Sequence, residues 1–388
     1  MNSNRKWIIG YSLATLILFV TYQFLLPWEG LPSWLYDGIY RWMPPMTVNE
    51  CLVYVIMALG LNIVVGYAGL LDLGYVAFWA IGGYCAGWFM SGFLYFIKFH
   101  FFTSVPATDA GIHINFWAVL PIGGLICALA GILIGAPTLR LRSDYLAIVT
   151  LGFGEIIPQI FFNGENFFGF NISNGTKGIV VVDPIPVPSK NLGPFDYGFK
   201  LLIFVGLAAL MAFVSLRLRR GRLGRAWLAI REDELAAGMM GVPLMRTKLA
   251  SYAVGAFSGG VGGVAFATHV NGVYAERFSF TISIFLLAMV VLGGMGNVWG
   301  VILGAFVLSW INGNGLVALG ETVNGRLGTN IDFASFTFLI FGAVLILMML
   351  FKREGLIPET RLKMVLHEGE EEASADESSE KKSKKGSR

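Results

Sequence analysis

Side chains able to do chemistry are thinly spread in this sequence. One carboxylate, Glu155, stands well inside an apolar stretch, LGFGEIIPQ, with Pro158 three residues on. An ionisable group at membrane depth costs about 2.5–3.5 kcal/mol even on insertion scales, so it is expected to face a cavity or a partner. Proline donates no amide and loosens its helix locally. Glu155 therefore reads in two ways: it lines a polar pathway or pins a broken helix, or it pairs with a neighbouring span or sits near the outer interface. Asp72, between Gly69 and Gly74, reads first as a cap on a re-entrant helix start and second as a pathway residue. Asn62, inside an apolar run, can hydrogen-bond across helices. Asn174 belongs to a long polar stretch with Asn171, Ser173, Gly175 and Thr176. The triplets at 171–173 and 174–176 match the glycosylation pattern, which polar segments also reach by chance.

Other chemistry is absent from the pattern. There is no GxxxxGK[ST] phosphate loop and no nucleophile elbow. His100, His113, His269 and His367 are far apart, and Cys51, Cys85 and Cys127 sit singly in apolar runs. Neither a metal centre nor a disulfide framework is expected; the cysteines read as packing residues. No cofactor is expected on this chain, and it is not expected to be an enzyme.

The elements that must position these residues are membrane helices. Of 388 residues 55% are hydrophobic and 14% charged, with mean hydropathy +0.67. Soluble domains carry about a quarter charged residues, and the missing charge is absent from runs of roughly twenty residues, the length that crosses a bilayer core. The net charge of +3 gives no footing for nucleic acid. Ten crossings are expected, near 7–26, 48–66, 73–97, 116–136, 145–163, 199–216, 248–268, 279–295, 300–318 and 333–351. The third, fifth, eighth and ninth are interrupted by Gly, Pro or charge and so read as broken or re-entrant, which is tolerated only where protein or a polar cavity satisfies the backbone. The fold class is an all-α polytopic membrane protein. Leu61–Gly83 and Ala288–Ala305 echo each other, either as matching breaks of two duplicated halves or as two glycine-rich helices alike by chance.

Basic residues cluster in alternate connections: Arg5 and Lys6, Arg140 and Arg142, eight between Arg217 and Lys248, then Lys352 and Arg353. Positive charge marks the cytoplasmic side, which puts both termini and 217–247 inside and 164–198 outside. Residues 7–26 lack a small-x-small cleavage site and read as a retained span. Trp28, Trp34, Trp42 and Trp117 fall at the outer boundary, where such rings are favoured. Three parts result: a first span and outer loop over 1–47, a core over 48–351, and a charged tail over 352–388 with too little apolar character to fold.

Within 217–247 two short helices are expected, over 223–230 and 234–240, meeting at Arg231, Glu232, Asp233 and Glu234. Leu235, Met239 and Val242 make a narrow apolar stripe beside that charge, and Gly241 and Pro243 stop the second helix. Such an element is either a docking helix or a loop resting on its own membrane domain.

Ala236-Ala237, three residues and then Gly241 resemble the cytoplasmic coupling motif of ABC importer permeases, with Leu235 where the motif has Glu. The strings AWLAIREDELAAGMMGV, GLNIVVGYAGLLDLGYVAFWAIGGY, LRSDYLAIVTLGFGEII and AMVVLGGMGNVWGVILGA resemble the branched-chain amino-acid permeases of the LivM type. The likeness runs from about 48 to 311 and omits the first span and the tail. It implies a permease in the bacterial inner membrane forming half of a channel for leucine, isoleucine or valine. It also implies a second, LivH-type permease, two ATPase subunits carrying ATP-Mg, and a periplasmic binding protein. Arg231, Glu232, Asp233, Glu234, Ala236, Ala237 and Gly241 would contact the ATPase; Asn62, Asp72, Glu155 and Asn174 are the pathway candidates. A urea or short-amide importer permease is the alternative, and an ion-coupled secondary transporter a further one.

Overall fold

Each of the ten expected crossings falls on a helix. The structure is a computed structural model describing residues 3–26, 32–103, 105–106, 108–141, 143–187, 190–193, 195–328, 332–352 and 355–357. Trp28, Arg142, Arg353 and the tail from 358 lie outside the described residues. Helix α1 (Ser3–Val20) runs on through one widened turn, Thr21–Leu25, and the short α2 (Ser33–Trp42) precedes α3 (Pro45–Leu61), which ends in a widened turn at Asn62–Tyr67. Then come α4 (Val76–Phe89), α5 (Phe116–Thr138), α6 (Ser143–Phe162) and α7 (Tyr197–Arg220). The pair α8 (Arg222–Glu232) and α9 (Glu234–Met239) leads to α10 (Leu244–Val270), α11 (Phe280–Gly293) and α12 (Val298–Trp310). The last two are α13 (Leu316–Leu327) and α14 (Thr337–Phe351). Among the described residues, eight helical stretches are long and apolar enough to cross a membrane, and Val76–Phe89 and Phe333–Met348 are shorter apolar ones.

The glycines explain the packing. Helix α10 lies against α3, α4 and α5. A Cβ on Gly82 would stand 2.4 Å from the Gly260 carbonyl, and one on Gly263 would stand 2.4 Å from the Trp79 carbonyl. Backbone touches backbone across α4 and α10, an approach that only glycine permits and that membrane helices use in place of a hydrophobic drive. Buried Trp79 fills the space beside them, edge-on to Phe266 and Phe278 with centroids 4.7 and 4.8 Å away.

The two ends of the bundle differ. At one end lie, among the described residues, seven short strands: β1 (Met90–Ser91), β2 (Lys98–Phe101), β3 (Gly111–Ile114), β4 (Ile179–Val180), β5 (Ile185–Val187), β6 (Lys190–Leu192) and β7 (Gly272–Val273). Strand β3 pairs antiparallel with β1 and parallel with β2, while β4 pairs with β7 and β5 with β6. At the other end lie α8, α9 and two places where a span stops short. One separates Tyr67 from Val76 and the other separates Gly293 from Val298. The two echoing sequence segments thus share the pattern helix, break, helix.

Candidate functional site: two helix breaks and the helix pair beneath them

A helix that stops inside the bundle leaves amides and carbonyls that must be met by protein. In the first break Gly69 turns the chain at φ 69°. Asp72 is fully buried, and its Oδ1 accepts from Gly74 N at 2.9 Å. It therefore tightens the loop rather than capping α4, whose N-cap is Tyr75 with no side-chain cap. Leu73 N donates to Thr150 Oγ1 of α6 at 3.1 Å, and Val76 N to Ser283 Oγ of α11 at 3.0 Å. Tyr75 Oη donates to the Gly255 carbonyl at 2.9 Å.

In the second break Gly294 and Gly296 take φ of 109° and 86°. Asn297 caps α12, accepting from Trp299 N at 3.1 Å and Gly300 N at 3.4 Å. The last carbonyls of α11 are met from further along the chain. Leu356 N donates to Leu292 O at 2.9 Å, Ile357 N donates to Gly293 O at 3.2 Å, and Asn297 Nδ2 donates to Ile357 O at 3.1 Å. The two breaks touch: Gly296 N donates to Asn62 Oδ1 at 2.8 Å. Asn62 thus bonds across helices, as its type suggests, but to a freed amide rather than to another side chain.

Below the breaks sits the α8–α9 pair, close to the two short helices expected there. Asp233 joins them, its carboxylate accepting from Leu235 N at 2.9 Å and Ala236 N at 3.1 Å. Trp227 of α8 is fully buried and donates to the Thr247 carbonyl at 2.7 Å, while Glu234 holds Lys248 at 2.5 Å. Leu235, Met239 and Met240 are 77%, 89% and 85% exposed. Ala236 and Gly241 are exposed with them, whereas Ala237 is buried. Of the charged cluster, Glu232, Asp233 and Glu234 are exposed and Arg231 turns inward, its Nη1 donating to the Gly66 carbonyl of the first break.

The remaining candidates separate from this cluster. Helix α6 continues unbroken through Pro158, so Glu155 pins no break. It is exposed, on a face shared with Ile148, Leu151, Ile156 and Gln159. The opposite face meets the first break: a Cβ on Gly154 would stand 2.9 Å from Gly74 Cα. Asn174 lies at the strand end, left-handed at φ 61°, with Nδ2 donating to Gly178 O at 3.0 Å. It lines a cavity of about 670 Å³ together with His113 and Asp183. There His113 Nδ1 donates to both Asp183 oxygens at 3.0 and 2.8 Å. Burial pushes the Asp183 carboxyl up and His113 pulls it back. Sequence reading missed this pair, as well as Thr150 and Ser283. Asn297 was findable, since Gly-Asn before an apolar run is a helix-start signal.

Fold and site together define a multi-pass helical membrane permease, with spans broken near one end above a short exposed helix. The family profile described as branched-chain amino acid transport system, permease component, matches residues 46–351, and the chain belongs to that family. It is 38% identical over 343 residues to the high-affinity branched-chain amino acid transport system permease protein LivM of Salmonella typhimurium, covering 82% of this chain and 71% of the relative. The LivM of Escherichia coli gives the same identity and coverage. The probable branched-chain amino acid transport permease LivM of Methanocaldococcus jannaschii is 27% identical, covering 79% of this chain and 91% of the relative. No solved structure matches the chain.

Proposed function

We propose that this chain is one of two homologous permeases in an ATP-driven importer of leucine, isoleucine and valine in a bacterial inner membrane. Two ATPase subunits dock at the α8–α9 end, which is cytoplasmic together with both termini. A periplasmic binding protein delivers the amino acid at the strand end. ATP and its magnesium bind the partner subunits, and this chain carries no cofactor. The family supports the substrate class. The observation that carries the mechanism is the exposed trio Leu235, Met239 and Met240, on a helix whose base is fixed by Asp233, Trp227 and the Glu234–Lys248 pair. Apolar side chains bared on a rigid mount bury themselves in a partner's groove. Import is then a two-state equilibrium, biased by ATP on one side and by loaded binding protein on the other.

The exposed face of α6 supports a pathway between the two permeases. A carboxylate there cannot rest in lipid without cost, so Glu155 and Gln159 face a polar space with Ile148 and Ile156 beside them.

Replacing Leu235 and Met239 together by Glu tests the docking. Co-purification of the ATPase subunits and leucine uptake should both fail while the chain still inserts. Normal uptake with retained co-purification would refute the docking role.

A further inference from the structure

We infer that Arg231 is the positioning residue through which movement of the docking helix reaches the broken spans; this rests on the docking reading above. The last backbone bonds at the end of α3 run from Ala68 N to Ile63 O and from Leu70 N to Val64 O. The Gly66 carbonyl lies past them, among the acceptors a helix end leaves over. Arg231 supplies a donor to it from the far side of the sequence. The arginine stem lies on the same loop: a Cβ on Gly69 would stand 2.9 Å from Arg231 Cγ and 3.3 Å from its Cβ. Gly69 is left-handed, so glycine both makes the turn and leaves room for the stem.

Arg231 is two residues from Asp233, the N-cap of α9. A displacement of α9 within a partner's groove moves that cap and, with it, the arginine. The body of α8 does not follow freely, because Trp227 ties it to α10 through Thr247. The strain therefore falls on the guanidinium and the loop it holds. From there a route to the second break is already built. A Cβ on Gly66 would stand 2.1 Å from Asn62 Oδ1 and 2.7 Å from Gly296 N, so Gly66 lies directly against the bond that joins the breaks. Pushing the loop strains that bond. The long stem and planar guanidinium suit Arg for this reach, and Lys keeps a donor there only as a flexible point charge.

The test uses membranes carrying the complete importer, with three readouts: ATPase co-purification, ATP hydrolysis and leucine uptake. Arg231→Met should leave co-purification and hydrolysis in place and lower uptake about tenfold or more, the scale of a lost hydrogen bond to a charged group. Arg231→Lys should recover a substantial part of the uptake. Gly69→Ala, which crowds the stem from the other side, should reproduce the uncoupled state. Unchanged uptake in Arg231→Met overturns the inference. So does loss of co-purification, which would make Arg231 a docking residue instead. If Arg231→Met does not accumulate in the membrane, Gly69→Ala decides by the same readouts, and wild-type uptake there is the overturning result. Failure of the docking reading itself appears separately, as retained ATPase in the Leu235 and Met239 double variant.

Discussion

The two helix breaks solve one problem with different materials. In the first, the freed groups are met by side chains: Thr150, Asp72 and Ser283 accept from its amides, and Arg231 donates to its carbonyl. In the second, the freed carbonyls of Leu292 and Gly293 are met by backbone amides of Leu356 and Ile357, and Asn62 and Asn297 serve it from side chains. Side-chain ties can exchange partners by a change of rotamer, whereas a backbone tie moves only when a whole segment moves. The first break also spans eight residues, Ala68 to Tyr75, against four in the second, Gly294 to Asn297. Under the inference drawn for Arg231, the contrast casts the first break as the working joint and the second as the fixed post.

The largest expected effect is from Gly74→Val. Its Cβ would stand 2.2 Å from the Thr150 carbonyl, and a backbone wall cannot step aside. Overpacking of this kind costs at the upper end of about 1–3 kcal/mol. Little folded protein should survive detergent extraction, and recovery at wild-type yield would show that the joint is looser than the structure has it. Asn62→Leu comes next. It strands the Gly296 amide in a buried site, a loss of about 1–3 kcal/mol, and it uncouples the breaks. Both thermal stability and uptake should fall; a change in stability alone would remove the link between post and joint.

Asn297→Ala and Thr150→Val are smaller, about 1 kcal/mol each, as a lost cap and a lost hydroxyl, and they separate the two roles. The Asn297 variant should lower the unfolding temperature with transport per folded molecule intact. The Thr150 variant should lose a similar small amount of stability and, unlike the Asn297 variant, also lower uptake per folded molecule. Identical profiles would break the comparison. For Glu155, Leu should depress uptake at normal expression and Gln should be milder, since the amide keeps a hydrogen-bonding group in the polar space. Wild-type uptake in the Leu variant would show that its exposed face serves nothing.

Much of this architecture was legible because a bilayer dictates length and polarity together. Each apolar run from 7–26 to 333–351 met a helix, and the stretches 223–230 and 234–240 lie on or close to α8 and α9. The breaks were visible as glycine runs, and Gly69, Gly294 and Gly296 take the positive φ that their turns need. What stayed hidden depends on who sits opposite whom. Nothing local to Arg231 says that it turns to Gly66 while Glu232 stays outside. Asn62 finds Gly296 only when α3 and the α11–α12 turn are stacked. Pro158 suggested an interrupted α6, yet the helix runs on, because the surrounding turns hold its geometry. Strand β2 pairing parallel to β3 is likewise a product of the loop that brings Lys98 opposite Gly111.

The backbone tie at the second break has a consequence for how the protein is made. Residues 355–357, which complete the end of α11, are synthesised only after α12, α13 and α14. Until they emerge, the Leu292 and Gly293 carbonyls lack those amides. The end of α11 is therefore completed only once the chain beyond α14 has been made. The tie is a closing stitch, and a chain stopped at Phe351 would lack it.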